Sequence, residues 1–149
     1  MINNVNNFIR KANSFDAQKL SQLTNELTSY IFEEETPQWF KDELLEESFK
    51  TRVLSDEYEH FVYVQENEIV GFIALKNKNR LFHLFIDSKH HRKGIAKELW
   101  NYIKEHYDVS NMSVNASLYA IKTYEAFGFK TTGEQSEYLG LKYQPMSYK

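Results

Sequence analysis

The stretch from Leu81 to Tyr107 constrains the chain more than any other. Leu81 to Ile86 is an apolar run broken only by His83, which predicts a buried strand. Asp87 to Arg92 is polar and basic and predicts a turn. From Lys93 onward, Ile95, Ala96, Leu99, Trp100, Ile103 and Tyr107 recur at helical spacing, so one stripe of that helix is apolar and packs against a sheet.

The junction is the informative part. His91-Arg92-Lys93-Gly94-Ile95-Ala96 places small residues at the start of the helix, where another molecule can approach the backbone. The first helical N–H groups have no partner inside the helix, and the helix dipole is positive at that end. Strand, basic turn and small-residue helix start together suit a pyrophosphate. The same residues also suit an ordinary strand-to-helix turn with solvated Lys and Arg. Gly94 is not followed by Lys-Ser or Lys-Thr, so this is no P-loop, and there is no GxGxxG for a dinucleotide fold.

At 149 residues and 42% hydrophobic content the chain suffices for one domain, 1–149, with a sizeable core. It has no cysteine, which excludes a Cys nucleophile, a disulfide framework and a thiolate metal site. The five His residues have no metal-ligand spacing, so no metal is expected. The net charge of −3 argues against a nucleic-acid surface. The opening MINNVNNFIR has no apolar signal core, and no apolar run approaches membrane-spanning length, so a cytoplasmic protein without a membrane partner is expected.

The elements read in order as follows. Asn6–Lys11 is a short strand. Ser14 or Asp16 caps a helix carrying Leu20, Leu23, Leu27 and Ile31. Thr36-Pro37 starts a second helix, with Thr36 as N-cap, that runs through Trp39, Phe40, Leu44, Leu45 and Phe49. Phe61–Val64, Ile69–Leu75 and Leu81–Ile86 form an antiparallel meander with polar turns at Glu66-Asn67 and Lys76–Asn79. The Lys93–Tyr107 helix follows. Met112–Asn115 is a strand, and Ser117 caps a helix over Leu118–Phe127 that ends at Gly128. Phe129–Thr132 and Leu141–Tyr148 complete the sheet, with Pro145 at an edge or a bulge. This order implies a mixed α/β sheet with helices on both faces.

Residues 91–96 resemble the acyl-coenzyme A signature of the GNAT superfamily of N-acetyltransferases, with His91 standing where Gln or Arg is usual. Val114-Asn115-Ala116, then Tyr124-Glu125-Ala126-Phe127-Gly128-Phe129, and the closing Tyr143-Gln144-Pro145-Met146 resemble the family's later motifs, its bacterial small-molecule branch in particular. The resemblance runs from about Phe61 to the C-terminus. It implies a single GNAT domain with a mostly antiparallel sheet, flanking helices and splayed central strands. It implies acetyl transfer from acetyl-coenzyme A to an amine of a small molecule or peptide. His91, Arg92, Lys93, Gly94, Ile95, Ala96, Lys97 and Lys122 are then expected around the phosphates. Phe85, Ile86 and Asn115 are expected along the pantetheine arm, and Tyr124 beside the coenzyme sulfur.

Several assignments stay open at this level. Tyr124 is either the acid that protonates the departing thiolate or a core Tyr on a stripe with Ile121 and Phe127. His83, with an unperturbed pKa near neutrality, is either a base for the attacking amine or a half-buried structural His. Glu33 to Glu47 holds seven acids and one Lys, either a solvated face or an acidic mouth for a cationic amine. The alternative to an enzyme is a non-catalytic acyl-coenzyme A sensor or regulatory module. The sequence names no acceptor amine and leaves room for a homodimer.

Overall fold

A computed structural model describes residues 7–148. Eight strands, β1 (Asn7–Lys11), β2 (Tyr58–Gln65), β3 (Glu68–Lys76), β4 (Arg80–Ile86), β5 (Ser113–Ser117), β6 (Phe129–Thr131), β7 (Ser136–Tyr138) and β8 (Leu141–Tyr148), form one sheet. Its order is β1-β2-β3-β4-β5-β8-β6, with β7 also on β8. Every pairing is antiparallel except β4 with β5. The expected mixed, mostly antiparallel sheet with flanking helices is thus the fold found, with β7 as an extra strand. The expected first strand reaches back to Asn6, which lies outside the described residues.

Both meander turns place two consecutive residues at positive φ, Glu66 and Asn67 (52° and 68°) and Asn77 and Lys78 (55° and 62°). That left-handed pair matches the twist of the flanking strands. The helices are α1 (Ala17–Asn25), α2 (Gln38–Glu43), α3 (Glu46–Val53), α4 (Ile95–His106) and α5 (Ile121–Phe127). The first three cover one face, burying Leu20, Leu23, Phe40 and Phe49 against Val62, Phe72 and Phe85. The last two cover the other, burying Leu99, Trp100, Ile103 and Tyr124 against Ile73, Leu81, Val114 and Met146.

Several local expectations are corrected. Asp16 does occupy the N-cap position of α1 but makes no side-chain cap bond to it. The capping box lies one turn earlier, at the 3₁₀ turn Ser14–Asp16, where Asn13 accepts from Phe15 N–H at 2.9 Å and Asp16, held by Arg10, accepts from Asn13 N–H at 2.8 Å. Helix α1 ends at Asn25, so Leu27 and Ile31 lie beyond it. The single helix expected after Thr36 is two, with Pro37 at the N-cap position of α2. The break has a cause: the carbonyls of Asp42, Glu43 and Leu44 accept side-chain bonds from Ser48, Arg52 and Ser21, each at 2.6 Å, which ends the helix. Ser117 makes no side-chain cap, and a 3₁₀ turn, Leu118–Ala120, precedes α5. Gly128 does end α5 in the left-handed conformation, φ 110°.

Pro145 lies inside the sheet, not at its edge. Its carbonyl accepts from Thr132 N–H at 3.1 Å, so its nitrogen also points toward the gap between β6 and β7, where no ladder donor is required.

His60 is buried between Phe49 and Phe72 with neither ring nitrogen hydrogen-bonded. Burial, helped by the positive fields of His83, Arg52 and Lys11, pushes its pKa down to about 3. In the unfolded chain it titrates near 6.5. As pH falls below about 6.5 the unfolded state takes up a proton that the folded state refuses. Stability is therefore whole above that value and falls by up to about 1.4 kcal/mol per pH unit below it. Melting temperature should drop between pH 7 and pH 5, and His60→Phe should flatten that slope. Identical slopes in the two proteins would show that His60 is not sealed.

Candidate active site

The site starts from a divergence in the sheet. Strands β4 and β5 pair only at Arg80 with Ser113 and Leu81 with Val114. Beyond these, β4 continues to Ile86, and β5 stays with β8 as far as Ser117. The register of β3 on β4 passes from Ala74–His83 to Leu75–Leu81, so Phe82 is an extra residue, a β-bulge. A bulge bends its strand and adds twist, which carries β4 away from β5. It also puts His83 on the α2–α3 face while Leu81 serves the α4–α5 core.

The backbone of β4 beyond the bulge alternates. Asp87 N–H donates to Val70 O at 2.8 Å, and Phe85 O lies 3.0 Å from where a Cβ on Gly71 would sit, so odd-numbered residues face β3. Leu84 and Ile86 therefore present their peptide groups to the gap. Phe85 turns its backbone to β3 and packs its ring on Phe72 and His83, on the α2–α3 face.

A cleft of about 1480 Å³ runs along this gap. Pockets for one small ligand hold roughly 300–1,000 Å³, so there is room for more than one. At one end stands the start of α4. Gly94 has φ +82°, a conformation that side chains disfavour, and no atom lies within 4 Å of where its Cβ would be. The first helical bond there runs from Glu98 N–H to Gly94 O at 3.0 Å, so the N–H groups of Ile95, Ala96 and Lys97 precede it and have no helical acceptor. Arg92, Lys97 and Lys122 line the same end. Lys93 does not; it borders a separate small groove with Tyr63 and Glu98.

His91 sits in the turn, but its Nε2 lies 2.7 Å from Ile86 O. A carbonyl only accepts, so Nε2 carries the hydrogen and the ring ties the cradle turn to the end of β4. Tyr30 packs on His91 (5.5 Å) and on Tyr119 (4.9 Å), linking the loop after α1 to both sides of the cleft. Asn115 and Tyr124 also line it. Tyr124 is buried, its hydroxyl has no hydrogen-bond partner among the described residues, and burial raises the phenol above its ordinary value.

At the other end His83 Nε2 meets Glu43 Oε2 at 3.0 Å. His83 is 5% exposed and its Nδ1 is sealed and unpaired, whereas Glu43 is 24% exposed and lines the cleft. Burial lowers the His83 pKa against the opposing pull of Glu43. Burial also disfavours the Glu43 carboxylate, but the bond from His83 and the charges of Arg52 and Lys76 hold its pKa below the ordinary range. The ionised group facing the cleft is thus Glu43, with His83 behind it. The other six acids of the 33–47 run are exposed and do not line the cleft. Glu43 differs from them by position: it follows Trp39 by four residues and Phe40 by three, on the inward face of α2.

The family model described as "Acetyltransferase (GNAT) domain" matches residues 20–149. Human (Homo sapiens) N-acetyltransferase 8 is 33% identical over 89 residues, 50% of this chain and 39% of that protein, so the match spans well under half of this curated relative. A GCN5-related N-acetyltransferase from Rhodopseudomonas palustris superposes with TM-score 0.78 at 16% identity, over 98% of this chain and 97% of its own. The PaiA N-acetyltransferase from Thermoplasma acidophilum, solved in complex with coenzyme A, gives 0.76 at 16%, over 96% and 99%. At such identities the likeness is one of fold.

Removing the Glu43 carboxylate should strand His83 with two unpaired buried nitrogens. Glu43→Ala should cost about 1–3 kcal/mol in denaturant unfolding. Glu34→Ala, in the exposed part of the same acidic run, should stay within about 0.5 kcal/mol. Equal effects would show that the pair is not structurally special.

Proposed function

Since the chain belongs to the GNAT family of acetyltransferases, we propose that it moves an acetyl group from acetyl-coenzyme A to an amine, residues 1–149 acting as one domain. The observation that supports this most is the unbroken cleft, which runs from the α4 cradle through the strand gap, past Tyr124, to Glu43. A module that only held the coenzyme would need no space beyond the thioester.

The residues present fit acetyl-coenzyme A. The unpaired amides of Ile95, Ala96 and Lys97, with Arg92, Lys97 and Lys122 around them, suit the pyrophosphate. The peptide edges of Leu84 and Ile86 suit the pantetheine amides, with Asn115 on the facing strand. Acetyl-coenzyme A supplies the acetyl thioester. Glu43 receives the amine as its ammonium, and His83 is a positioning residue that fixes the carboxylate. The ammonium gives one proton to cleft water, and the free nitrogen attacks the carbonyl carbon. Leu84 N–H donates to the carbonyl oxygen as charge grows on it. The carbon–nitrogen bond forms, the carbon–sulfur bond breaks, and the electron pair leaves on sulfur. Tyr124, kept neutral by burial, gives its proton to that sulfur, and the second proton lost by the nitrogen returns through cleft water to the Tyr124 oxygen, so that one proton is released for each acetyl group transferred.

Thiol release from acetyl-coenzyme A in the presence of an amine panel is the direct measurement. Tyr124→Phe should lower kcat about 10²- to 10³-fold, the scale for one preorganised donor, with little change in the KM for acetyl-coenzyme A. A near-wild-type kcat removes Tyr124 from the chemistry. Gly94→Glu should weaken coenzyme A at least about tenfold by calorimetry, through charge and bulk at the phosphate position; unchanged affinity in a folded variant excludes the cradle.

A further inference from the structure

The acceptor end of the cleft has a definite charge and surface. Among the described residues, Glu43 is the single acid lining the whole cleft, against five Lys and Arg: Lys76, Arg80, Arg92, Lys97 and Lys122. Three of these lie at the coenzyme end. The other two, Lys76 at the end of β3 and Arg80 at the start of β4, border the acceptor end. Around Glu43 the wall is apolar: Leu27, Ile31, Trp39, Phe40, Phe82 and Leu141. It is also rigid. Trp39 Nε1–H donates to Leu139 O at 2.9 Å, and the indole stands perpendicular to Phe40 at 5.4 Å and edge-on to Tyr138 at 5.2 Å. The strap from Tyr138 to Leu141 thereby fixes the indole in place.

We infer that the acceptor is a monoamine carried on an aromatic or aliphatic body, its one ammonium on Glu43 and its apolar body against Trp39, Phe82 and Leu141. The inference deepens the amine-acetyltransferase reading and rests on it. Burying the apolar body against these side chains supplies the binding energy, and Glu43 matches one positive charge. A second ammonium a few carbons away would meet either rings without a carboxylate or the like charges of Lys76 and Arg80. The acids that a polyamine would need, Glu33, Glu34, Glu35, Glu46 and Glu47, point to solvent.

The test compares 2-phenylethylamine with spermidine in two assays on the full chain: thiol release from acetyl-coenzyme A, and calorimetric binding in the presence of coenzyme A. Thiol release should favour 2-phenylethylamine over spermidine by about tenfold or more in kcat/KM, a difference of about 1.4 kcal/mol. Trp39→Ala should raise the KM for 2-phenylethylamine about tenfold, with the KM for acetyl-coenzyme A unchanged, since only the acceptor wall is altered. Equal rates or a preference for spermidine would overturn the inference and leave the acetyl-transfer reading standing. Binding of 2-phenylethylamine without thiol release would support the site and overturn the transfer reading. No binding and no release with 2-phenylethylamine would overturn the inference itself.

Discussion

The parting of β4 and β5 after two paired residues is the constraint on which the rest of the molecule depends. A strand that leaves its neighbour exposes peptide groups, and such groups are tolerated only where water or a ligand can pair with them. The gap must therefore stay open to a polar occupant. The bulge at Phe82 bends β4, β8 holds β5 in place, and at the far end His91 Nε2–H occupies one of the two acceptor positions of Ile86 O. What remains for a substrate is a short polar edge set in an otherwise apolar sheet.

Charge is distributed along that edge unevenly. The α4 end is positive through helix amides, Arg92, Lys97 and Lys122, and suits a polyanion. The other end carries one carboxylate, kept ionised by His83, Arg52 and Lys76, set among aromatic rings. Tyr124 lies between them in a buried position that keeps its proton on oxygen. The two ends thus discriminate by different means, field at one and shape with a single charge at the other.

Much of this was legible in the sequence, because it is encoded locally. The apolar run of β4, the Gly94 turn and the stripe of α4 are each a pattern within a dozen residues. The run and the stripe lie where their patterns put them, whereas α4 starts at Ile95 and not at Lys93, with Gly94 as its left-handed N-cap. Glu43 was less legible. It stood among seven acids, and only its spacing from Trp39 and Phe40 marked it as inward. The break between α2 and α3 was not legible at all, because the bonds that end α2 come from Ser21 on α1 as well as from Ser48 and Arg52 on α3.

By itself the sequence determined the family, the order of elements, the phosphate-type helix start and the identity of Tyr124 as a residue to watch. Those follow from short-range periodicity and from motifs of contiguous residues. Tertiary structure decided which groups share a site. It turned Lys93 away from the cleft and Leu84 toward it, moved the His91 ring onto Ile86 O, and sent six of seven acids to solvent while pairing the seventh with His83. The reason is physical. Facing depends on a one-residue bulge and on bonds between residues as far apart as Trp39 and Leu139, and a one-residue shift in register reverses every side chain after it.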